Sequence, residues 1–293
     1  MKERGNGSGS AYADRLKRHL ADYKVLRLGI ADPGTFEHRG RQVQHDHILP
    51  LEQQDLNLLE RARRFLSEYE KQRTLTRHQF FHHLNSSQAF AFNLFFPYFC
   101  CGSYCARSLL RAFGQNSELA GWEPEAVPDE AEGSNIDIRW CTSDGVTTFC
   151  EVKLSETGIG TTLNDSRHRC KLENIYAPVL APYFNHAQLE PSVFFRSYQY
   201  YRNVWHMVRT PEARLVFLLP KQNIVLWRQL QDLLRVTSNE IAGRISMVAI
   251  EDVLASLIAD RRAPDDLRQY AATLGEKYLI RSADITHDPG ASA

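Results

Sequence analysis

Three residues on two short apolar segments could perform hydrolytic chemistry together. Asp137 lies between Ile136 and Ile138 in the first segment, and Glu151 and Lys153 lie two residues apart in the second. Because side chains alternate along a strand, Glu151 and Lys153 share one face, and a hairpin would place Asp137 beside them. Two carboxylates can bind a hard cation such as Mg²⁺, and a nearby ammonium group can orient water or stabilise charge on a phosphate. The pattern predicts metal-assisted hydrolysis of a phosphodiester.

The segments that carry these residues have the pattern of two strands joined by a tight turn. They span residues 135–141 and 146–154, and the Asp144-Gly145 pair between them is a strong hairpin signal. Both isoleucines of the first segment point one way, and positions 150, 152 and 154 of the second face the core. The alternative is a solvent-facing hairpin with one surface ion pair, worth under about 1 kcal/mol. Since such a match also arises by chance, its strand context is what favours the metal site.

Hydrophobic periodicity indicates helices and further strands around this hairpin. Helices are predicted at residues 12–28, 51–69, 77–84, 172–183, 194–208, 223–234, 251–259 and 264–274. Strands are predicted at residues 122–127, 214–219 and 245–250. Asn85 or Ser86 caps a further, long apolar helix that Pro97 kinks or splits. Because the hairpin precedes later helices and strands, the fold class is α/β, with a mixed central β-sheet flanked by helices and a helical N-terminal extension.

The net charge of zero hides a segregated distribution. The 35 Lys and Arg residues balance 35 Asp and Glu residues, but residues 118–156 carry ten acids against two bases. Residues 167–228 carry nine bases against three acids. An acidic centre beside a basic, aromatic-rich segment suits a metal-dependent enzyme that acts on a polyanion. Solvated faces of alternating sign explain the same counts equally well.

Other clusters of potential metal ligands have simpler interpretations. Cys100, Cys101 and Cys105 lie in an apolar helical run, and no histidine follows at zinc-ligand spacing, so we expect core thiols. His45 and His47 suit a polar loop better than a metal pair. No run approaches the roughly 20 apolar residues of a membrane span, and the N-terminus lacks the apolar stretch of a signal peptide. We therefore expect a cytoplasmic protein with no membrane partner.

The arrangement resembles the PD-(D/E)XK nuclease superfamily, whose fold many restriction endonucleases share. Asp137 followed by the run from Glu151 to Lys153 is similar to the D…(D/E)-x-K signature of that superfamily. Gln199 lies on a predicted helix similar to the one that supplies a glutamine to the active site in many members. Residues 85–95 (NSSQAFAFNLF) are similar to a segment in a bacterial group of restriction-endonuclease-like proteins, where it would be the first core helix.

The resemblance implies roles for individual residues and a cofactor. The implied catalytic residues are Asp137, Glu151, Lys153, Gln199 and Gln88. The metal ligands would be Asp137, Glu151 and Val152, and the cofactor would be Mg²⁺, with Mn²⁺ as a substitute. Lys153 would position water or stabilise charge, and Gln199 would support the lysine or the water.

The sequence also departs from the superfamily pattern. Many members carry a metal-binding glutamate on the first core helix, where this chain has Gln88. The site would therefore bind one metal or recruit Glu130 or Glu132, which lie just upstream of the first strand. A literal Pro-Asp pair does occur, but its Asp129 precedes the strand, and strand geometry favours Asp137.

DNA is the expected substrate and partner, cut by a restriction or defence endonuclease that acts as a symmetric homodimer. Basic and aromatic side chains expected to contact it are Arg167, Arg169, Arg196, Tyr200 and Arg202, although helix-spaced tyrosines also suit a core. The segments would be an N-terminal extension (1–84), a nuclease core (85–220) and a C-terminal α/β elaboration (221–293). Rival interpretations are an inert nucleic-acid-binding module on this fold, a repair or RNA-directed nuclease, and a chance match. A cognate methyltransferase partner cannot be inferred.

Overall fold

The computed structural model describes residues 7–280 and contains a β-hairpin, a five-stranded sheet and helices on both of its faces. The strands are β1 Gly34–His38, β2 Arg41–His45, β3 Leu119–Ala126, β4 Ile136–Thr142, β5 Thr147–Val152, β6 Ala213–Leu219 and β7 Ile245–Ala249. The helices are α1 Gly7–Leu28, α2 Glu60–Glu70, α3 Ser87–Phe99, α4 Ser103–Ala112, α5 Ser166–Lys171, α6 Ala177–Leu180, α7 His186–Leu189, α8 Pro191–Phe194, α9 Tyr198–Arg209, α10 Ile224–Arg235, α11 Asn239–Ala242, α12 Ile250–Ala259 and α13 Asp265–Tyr278. A π-helical turn, Leu172–Tyr176, joins α5 to α6.

The main sheet is mixed, as the order of elements predicts. Its strand order is β3-β4-β5-β6-β7; β3, β4 and β5 pair antiparallel, whereas β5, β6 and β7 pair parallel. The β4–β5 hairpin turns at Asp144-Gly145, where Gly145 takes a positive φ of 85°. The α/β class with a mixed central sheet is therefore confirmed. The beginning of β4 and the end of β5 consequently lie side by side, at the end of the strands opposite the hairpin turn.

The sheet separates two hydrophobic clusters. On one face, Cys150 and Val152 of β5 pack with α1, α3, α4, α12 and α13. On the other face, Phe149 of β5 packs with α9, α10 and the π-helical turn. The alternation predicted for this strand is thus confirmed. Ile136, by contrast, packs in the second cluster whereas Ile138 packs in the first, so the two isoleucines do not share a face as expected.

Pro97 does not split the apolar helix. Proline has no N–H to donate to the carbonyl of Asn93, but that carbonyl has another donor. Helix α3 runs through Pro97 to Phe99, and the Asn93 carbonyl accepts a hydrogen bond of 2.7 Å from the Tyr270 hydroxyl. Ser86 is the N-cap, and its side chain accepts from the Ala89 N–H. The break comes later, at Gly102, whose φ of 102° suits only glycine.

The helix predicted at residues 77–84 is absent, because its backbone bonds to a distant segment. The Leu49 N–H donates to the His82 carbonyl at 3.0 Å, and the Leu84 N–H donates to the His47 carbonyl at 3.1 Å. The helix predicted at 51–69 is likewise shorter, with a 3₁₀ turn at Leu51–Asn57 before α2. Long-range pairing overrides the local helical pattern in this region.

The predicted segment boundaries near residues 84 and 220 stay a prediction. The outer ends of the first and last segments, residues 1–6 and 281–293, lie outside the described residues. The N-terminal segment contains the β1–β2 hairpin as well as helices, and α1 contacts both α10 and α13. Within residues 7–280, no helix combines the length and apolar character needed to cross a bilayer.

Candidate active site

Asp137 and Glu151 face each other across the β4–β5 pair. The last backbone pair of these strands is Ile138 with Cys150, so Asp137 and Glu151 follow as the next opposed positions. The Val152 N–H donates to Asp137 Oδ2 at 2.7 Å, which ties the beginning of β4 to the end of β5. Glu151 is buried and Asp137 is half-buried, and both line one cavity.

Lys153 lies just beyond β5, between a carboxylate and an amide. Its backbone N–H donates to the Leu218 carbonyl at 2.9 Å, which continues the pairing with β6. Its Nζ donates to Glu151 Oε1 at 2.8 Å and to Gln199 Oε1 at 2.7 Å. The side chain is buried, at 8% exposure. A buried ammonium is tolerated here because two acceptors compensate for the lost water.

Helix α9 supplies the side chains that hold this ion pair. Gln199 and Asn203 lie four residues apart and so share one face of the helix. Asn203 Nδ2 donates to Glu151 Oε2 at 2.9 Å, and Arg202 Nη2 lies 3.8 Å from the same oxygen. Each oxygen of the Glu151 carboxylate therefore has its own donor, and the orientation of that carboxylate is fixed from two sides.

Gly160 brings the backbone close to Gln199. Its φ is +91°, and a Cβ atom at this position would overlap Gln199 Oε1. The Gln199 N–H lies 3.4 Å from the Gly160 carbonyl. The missing side chain at Gly160 thus leaves the space in which Gln199 reaches Lys153.

Gln88 of α3 lines the same cavity but contacts a different acid. Its Nε2 donates to Glu125 Oε1 at 2.9 Å and to the Thr76 carbonyl at 3.1 Å. Its Oε1 accepts from the His78 N–H at 2.8 Å. The structure therefore brings together all five residues of the predicted catalytic set around one cavity, with Gln88 linked to the others through Glu125.

Glu125 is the acid that sequence reasoning did not single out. It lies on β3 between the Pro124–Ile138 and Ala126–Ile136 pairs, which places it opposite Asp137. Its φ of +50° is unusual for a residue with a side chain and interrupts the alternation of this edge strand. The signal in the sequence was only a glutamate directly after Pro124.

The acids expected to supplement the site lie elsewhere. Glu132 is buried against His206 and Lys171, at 3.4 and 3.3 Å, and also accepts from the Tyr176 hydroxyl. Asp129 pairs with Arg209. Neither acid lines the cavity that holds Asp137, nor does Glu130. The structure thus does not bring Glu130 or Glu132 into this cavity, whereas Glu125 lines it.

The shared cavity has a volume of about 400 Å³, and its remaining wall carries polar and aromatic side chains. Besides the residues above, this wall is formed by His78, Phe80, His83, Asn85, Ser86, Ser87, Ser155 and Glu156. Asn85 Oδ1 and His83 Nε2 are buried and have no hydrogen-bond partner among the described residues. Buried polar atoms normally have partners, so these two atoms are suited to a ligand or solvent in the cavity.

Burial and the proximity of three acids shape the electrostatics of the cavity. Burial and the charges of Glu151 and Glu125 raise the pKa of Asp137 well above its ordinary value. Burial likewise raises the pKa of Glu125. Burial would also raise the pKa of Glu151, but the charges of Lys153 and Arg202 outweigh it and lower that pKa. The environment therefore favours the ionised form of Glu151 and makes Asp137 and Glu125 weaker acids than they ordinarily are.

Lys153 stays protonated in this environment. Burial alone would lower its pKa, but the charges of Glu151, Glu156 and Asp137 outweigh that effect and raise the pKa above its ordinary value. The residue therefore provides a fixed positive charge at neutral pH.

The donor set fits a hard divalent cation in its chemistry. Asp137, Glu151 and Glu125 supply the carboxylate oxygens that Mg²⁺ prefers, and a cation would relieve their repulsion. Within residues 7–280, no three His, Cys, Asp or Glu side chains already converge as a metal site. Glu125 is held by Gln88 and Asn135, the latter at 3.1 Å, so coordination would require these hydrogen bonds to rearrange.

The residues expected to contact DNA fall into three groups. Arg167, Arg169 and Arg196 are exposed and lie outside the lining of the cavity. Arg202 is mostly buried beside Glu151, where it orients the acid rather than offering a free surface. Tyr200 is fully buried, stacks on Phe217 and hydrogen-bonds Thr237, so the expectation of a base contact is corrected to a core residue.

One family model matches most of the chain. The family model described as restriction endonuclease associating with ARP matches residues 17–279 of the chain. The chain belongs to this family. The match to restriction endonuclease associating with ARP spans the sheet, the cavity and almost all of the flanking helices. No curated protein and no solved structure matches the chain.

Proposed function

We propose that the protein is a metal-dependent endonuclease of the restriction or defence type that hydrolyses DNA phosphodiester bonds. The observation that carries this proposal is the position of the Lys153 ammonium, bonded to Glu151 and Gln199 in the cavity that Asp137 also lines. Membership of a restriction-endonuclease family supports the reaction class and DNA as the substrate. The proposed PD-(D/E)XK signature consists of Asp137, Glu151 and Lys153.

Asp137, Glu151 and the adjoining Val152 would hold Mg²⁺ or Mn²⁺, and Glu125 would take the place of the acid missing from α3. When bound, the cation would supply Lewis acidity at the scissile phosphate and lower the pKa of bound water. Because Lys153 stays protonated, its role is to stabilise the charge that develops on the phosphate, not to remove a proton from water. Gln199 fixes the direction of this ammonium.

The catalytic cavity of one chain, about 400 Å³ in volume, accounts for cleavage of one DNA strand. We therefore propose that double-strand cleavage requires two copies of the chain, related by a two-fold axis that matches the symmetry of duplex DNA. Sedimentation of the protein with and without a duplex tests this part separately from the chemistry.

The proposal is tested by nicking of supercoiled plasmid with and without Mg²⁺. Wild type should nick only with the metal, and Asp137→Ala and Lys153→Ala should not nick. Asp129→Ala is the matched control, because Asp129 forms the literal Pro-Asp pair but lies outside the cavity. Equal nicking by all variants would show a contaminating enzyme or another site. DNA binding by a wild type that never nicks would instead indicate an inert binding module.

A further inference from the structure

A second, basic cavity lies beside the candidate active site. It has a volume of about 590 Å³ and is formed by α1 and the end of the β1–β2 hairpin. Its charged and titratable lining residues are Arg15, Lys17, Arg18, His45 and His47, together with Asp14 and Asp46. None of these residues belongs to the predicted catalytic set or to the basic segment 167–228.

Two cations of this cavity lack a partner within the part of the chain that the structure describes. Lys17 and Arg18 form no hydrogen bond or ion pair with any of the residues that the structure describes. Arg15 donates from Nη2 to Gln222 at 3.3 Å, and its Nε is buried without a partner within residues 7–280. Cationic groups that lack an internal partner are available to an anionic ligand.

A wall of histidine rings separates this basic cavity from the catalytic one. The ring centroids of His45 and His47 lie 5.4 Å apart, and those of His47 and His83 lie 6.3 Å apart. His45 and His47 line the basic cavity, whereas His83 lines the catalytic cavity. The Leu84 N–H donates to the His47 carbonyl, which ties the two backbone segments of this wall together. A ligand that filled both cavities would cross this wall.

Two rings of this wall, those of His47 and His83, are neutral at neutral pH. Burial and neighbouring positive groups lower the pKa of His47 to about 3, and burial and the other histidines lower that of His83 to about 3. The permanent positive charges of this surface are those of Arg15, Lys17 and Arg18, which outnumber the acids Asp14 and Asp46 by one.

We propose that this surface, defined by Arg15, Lys17, Arg18 and the histidine wall, binds the sugar-phosphate backbone of DNA next to the scissile phosphate. The proposal rests on the proposed nuclease function. Duplex DNA presents a continuous row of phosphates, so a strand held in the catalytic cavity must continue past its walls. On this side it meets unpaired cations, which position the duplex without reading its sequence.

The test is equilibrium binding of a short duplex without divalent metal, measured by fluorescence anisotropy at several salt concentrations. Lys17→Ala/Arg18→Ala should weaken binding about ten-fold or more at low salt, and should reduce the slope of log affinity against log salt by about two. Lys17→Arg/Arg18→Lys should keep the wild-type slope, because both charges remain. The control is Arg107→Ala/Arg261→Ala, which removes two cations near α4, at the other end of the sheet: Arg107 is half-buried and paired with Glu118, and Arg261 is exposed.

The outcomes separate this inference from the proposed function. Wild-type affinity and slope in Lys17→Ala/Arg18→Ala overturn the inference while plasmid nicking stands. An equal loss in the Arg107→Ala/Arg261→Ala control also overturns it, because net charge alone would then explain the effect. If Lys17→Ala/Arg18→Ala lowers the melting temperature, the charge-conserving variant Lys17→Arg/Arg18→Lys decides. A reduced salt dependence of DNA binding in that variant would contradict a phosphate contact. A wild type that nicks no plasmid contradicts the proposed function instead.

Discussion

The Val152 N–H donates a hydrogen bond of 2.7 Å to Asp137 Oδ2, one residue beyond the last backbone pair of β4 and β5. A side chain thus continues the hydrogen-bonding ladder where the backbone pairing ends. The bond fixes the Asp137 carboxylate opposite Glu151 and leaves Oδ1 without a hydrogen-bond donor among residues 7–280. The geometry therefore combines a rigid acid with one oxygen available to a ligand.

Asp137→Asn should abolish cleavage yet stabilise the metal-free protein at neutral pH. Burial, Glu151 and Glu125 raise the pKa of Asp137 above its ordinary value of 3.8, so the folded state favours the protonated acid. That contribution is complete below pH 3.8 and is lost as the pH rises through the raised pKa. Asparagine removes the unfavourable charge and can keep the acceptor for Val152. Urea unfolding at acidic and neutral pH measures the difference.

Asp129→Asn is the control of opposite sign. Hydrogen bonds from the Glu132 N–H and from Arg209 lower the pKa of Asp129, so its charge favours the folded state above its ordinary pKa. Its replacement should leave stability unchanged or slightly lower, because the ion pair is partly exposed to solvent. A destabilised Asp137→Asn protein at neutral pH would contradict the repulsion described above.

The stabilising effect of Mg²⁺ should grow as the pH rises. Protons and the cation compete for Asp137 and Glu125, whose pKa values are raised, so metal binding releases protons. The metal-induced increase in melting temperature should therefore be small at mildly acidic pH and larger at neutral pH. Asp137→Asn should remove most of this increase. An increase that is independent of pH, or that persists in the variant, would place the metal elsewhere.

The Lys153–Glu151 pair should show strong coupling in a double-mutant cycle. Lys153→Met leaves Glu151 buried without its main partner, which typically costs about 3–5 kcal/mol of unfolding free energy. We expect a value near the lower end, because Asn203 and Arg202 still contact the carboxylate. Glu151→Gln/Lys153→Met should recover most of the loss while remaining inactive. Additive losses in urea unfolding would contradict the coupling.

Gly160→Ala should reduce nicking about as strongly as Gln199→Ala. The new Cβ would overlap Gln199 Oε1 and displace the acceptor of Lys153. The positive φ adds a conformational cost of about 1–2 kcal/mol. Gly145→Ala controls for that cost, because Gly145 has a φ of +85° but nothing within 4 Å of the added Cβ. Equal effects of the two substitutions on nicking would mean that strain alone is responsible.

The sequence predicts those features of the site that depend on local structure, such as a tight turn, strand pairing and a helix cap. The Asp144-Gly145 turn fixes the register of two adjacent strands, and this register places Asp137 opposite Glu151. Helix capping at Ser86 follows the same kind of local chemistry. The role predicted for Gln199 rested on the family resemblance and not on any pattern in the residues themselves.

The parts that sequence missed depend on distant contacts or on unusual backbone. Residues 77–84 have a helical pattern, but their backbone pairs with residues 47–49. Glu125 reaches the cavity through a positive φ, which no alternation rule anticipates. Tyr200 could have stacked on a base, but its side of α9 faces the sheet, where Phe217 covers it. Only tertiary packing decides which face of an aromatic helix is buried.

Glu125 of β3 and Glu132, in the loop between β3 and β4, should behave in opposite ways. Glu125→Gln removes a buried acid whose pKa is raised, so the metal-free protein should be as stable as wild type or more so, with weaker Mg²⁺ binding and nicking. Glu132→Gln removes an acid whose pKa is lowered: hydrogen bonds from His206, Ser134 and Tyr176 outweigh the effect of burial. Its stabilising effect is present above its ordinary pKa of 4.5 and lost as the pH falls.

Glu132→Gln should therefore cost about 2–4 kcal/mol of unfolding free energy at neutral pH, and this loss should shrink on acidification. The folded fraction should still bind Mg²⁺ with nearly wild-type affinity, because Glu132 lies outside the catalytic cavity. Urea unfolding and metal titration of both variants check the pair. Loss of metal binding in Glu132→Gln with retention in Glu125→Gln would restore the acid upstream of β4 as the ligand and refute the role given to Glu125.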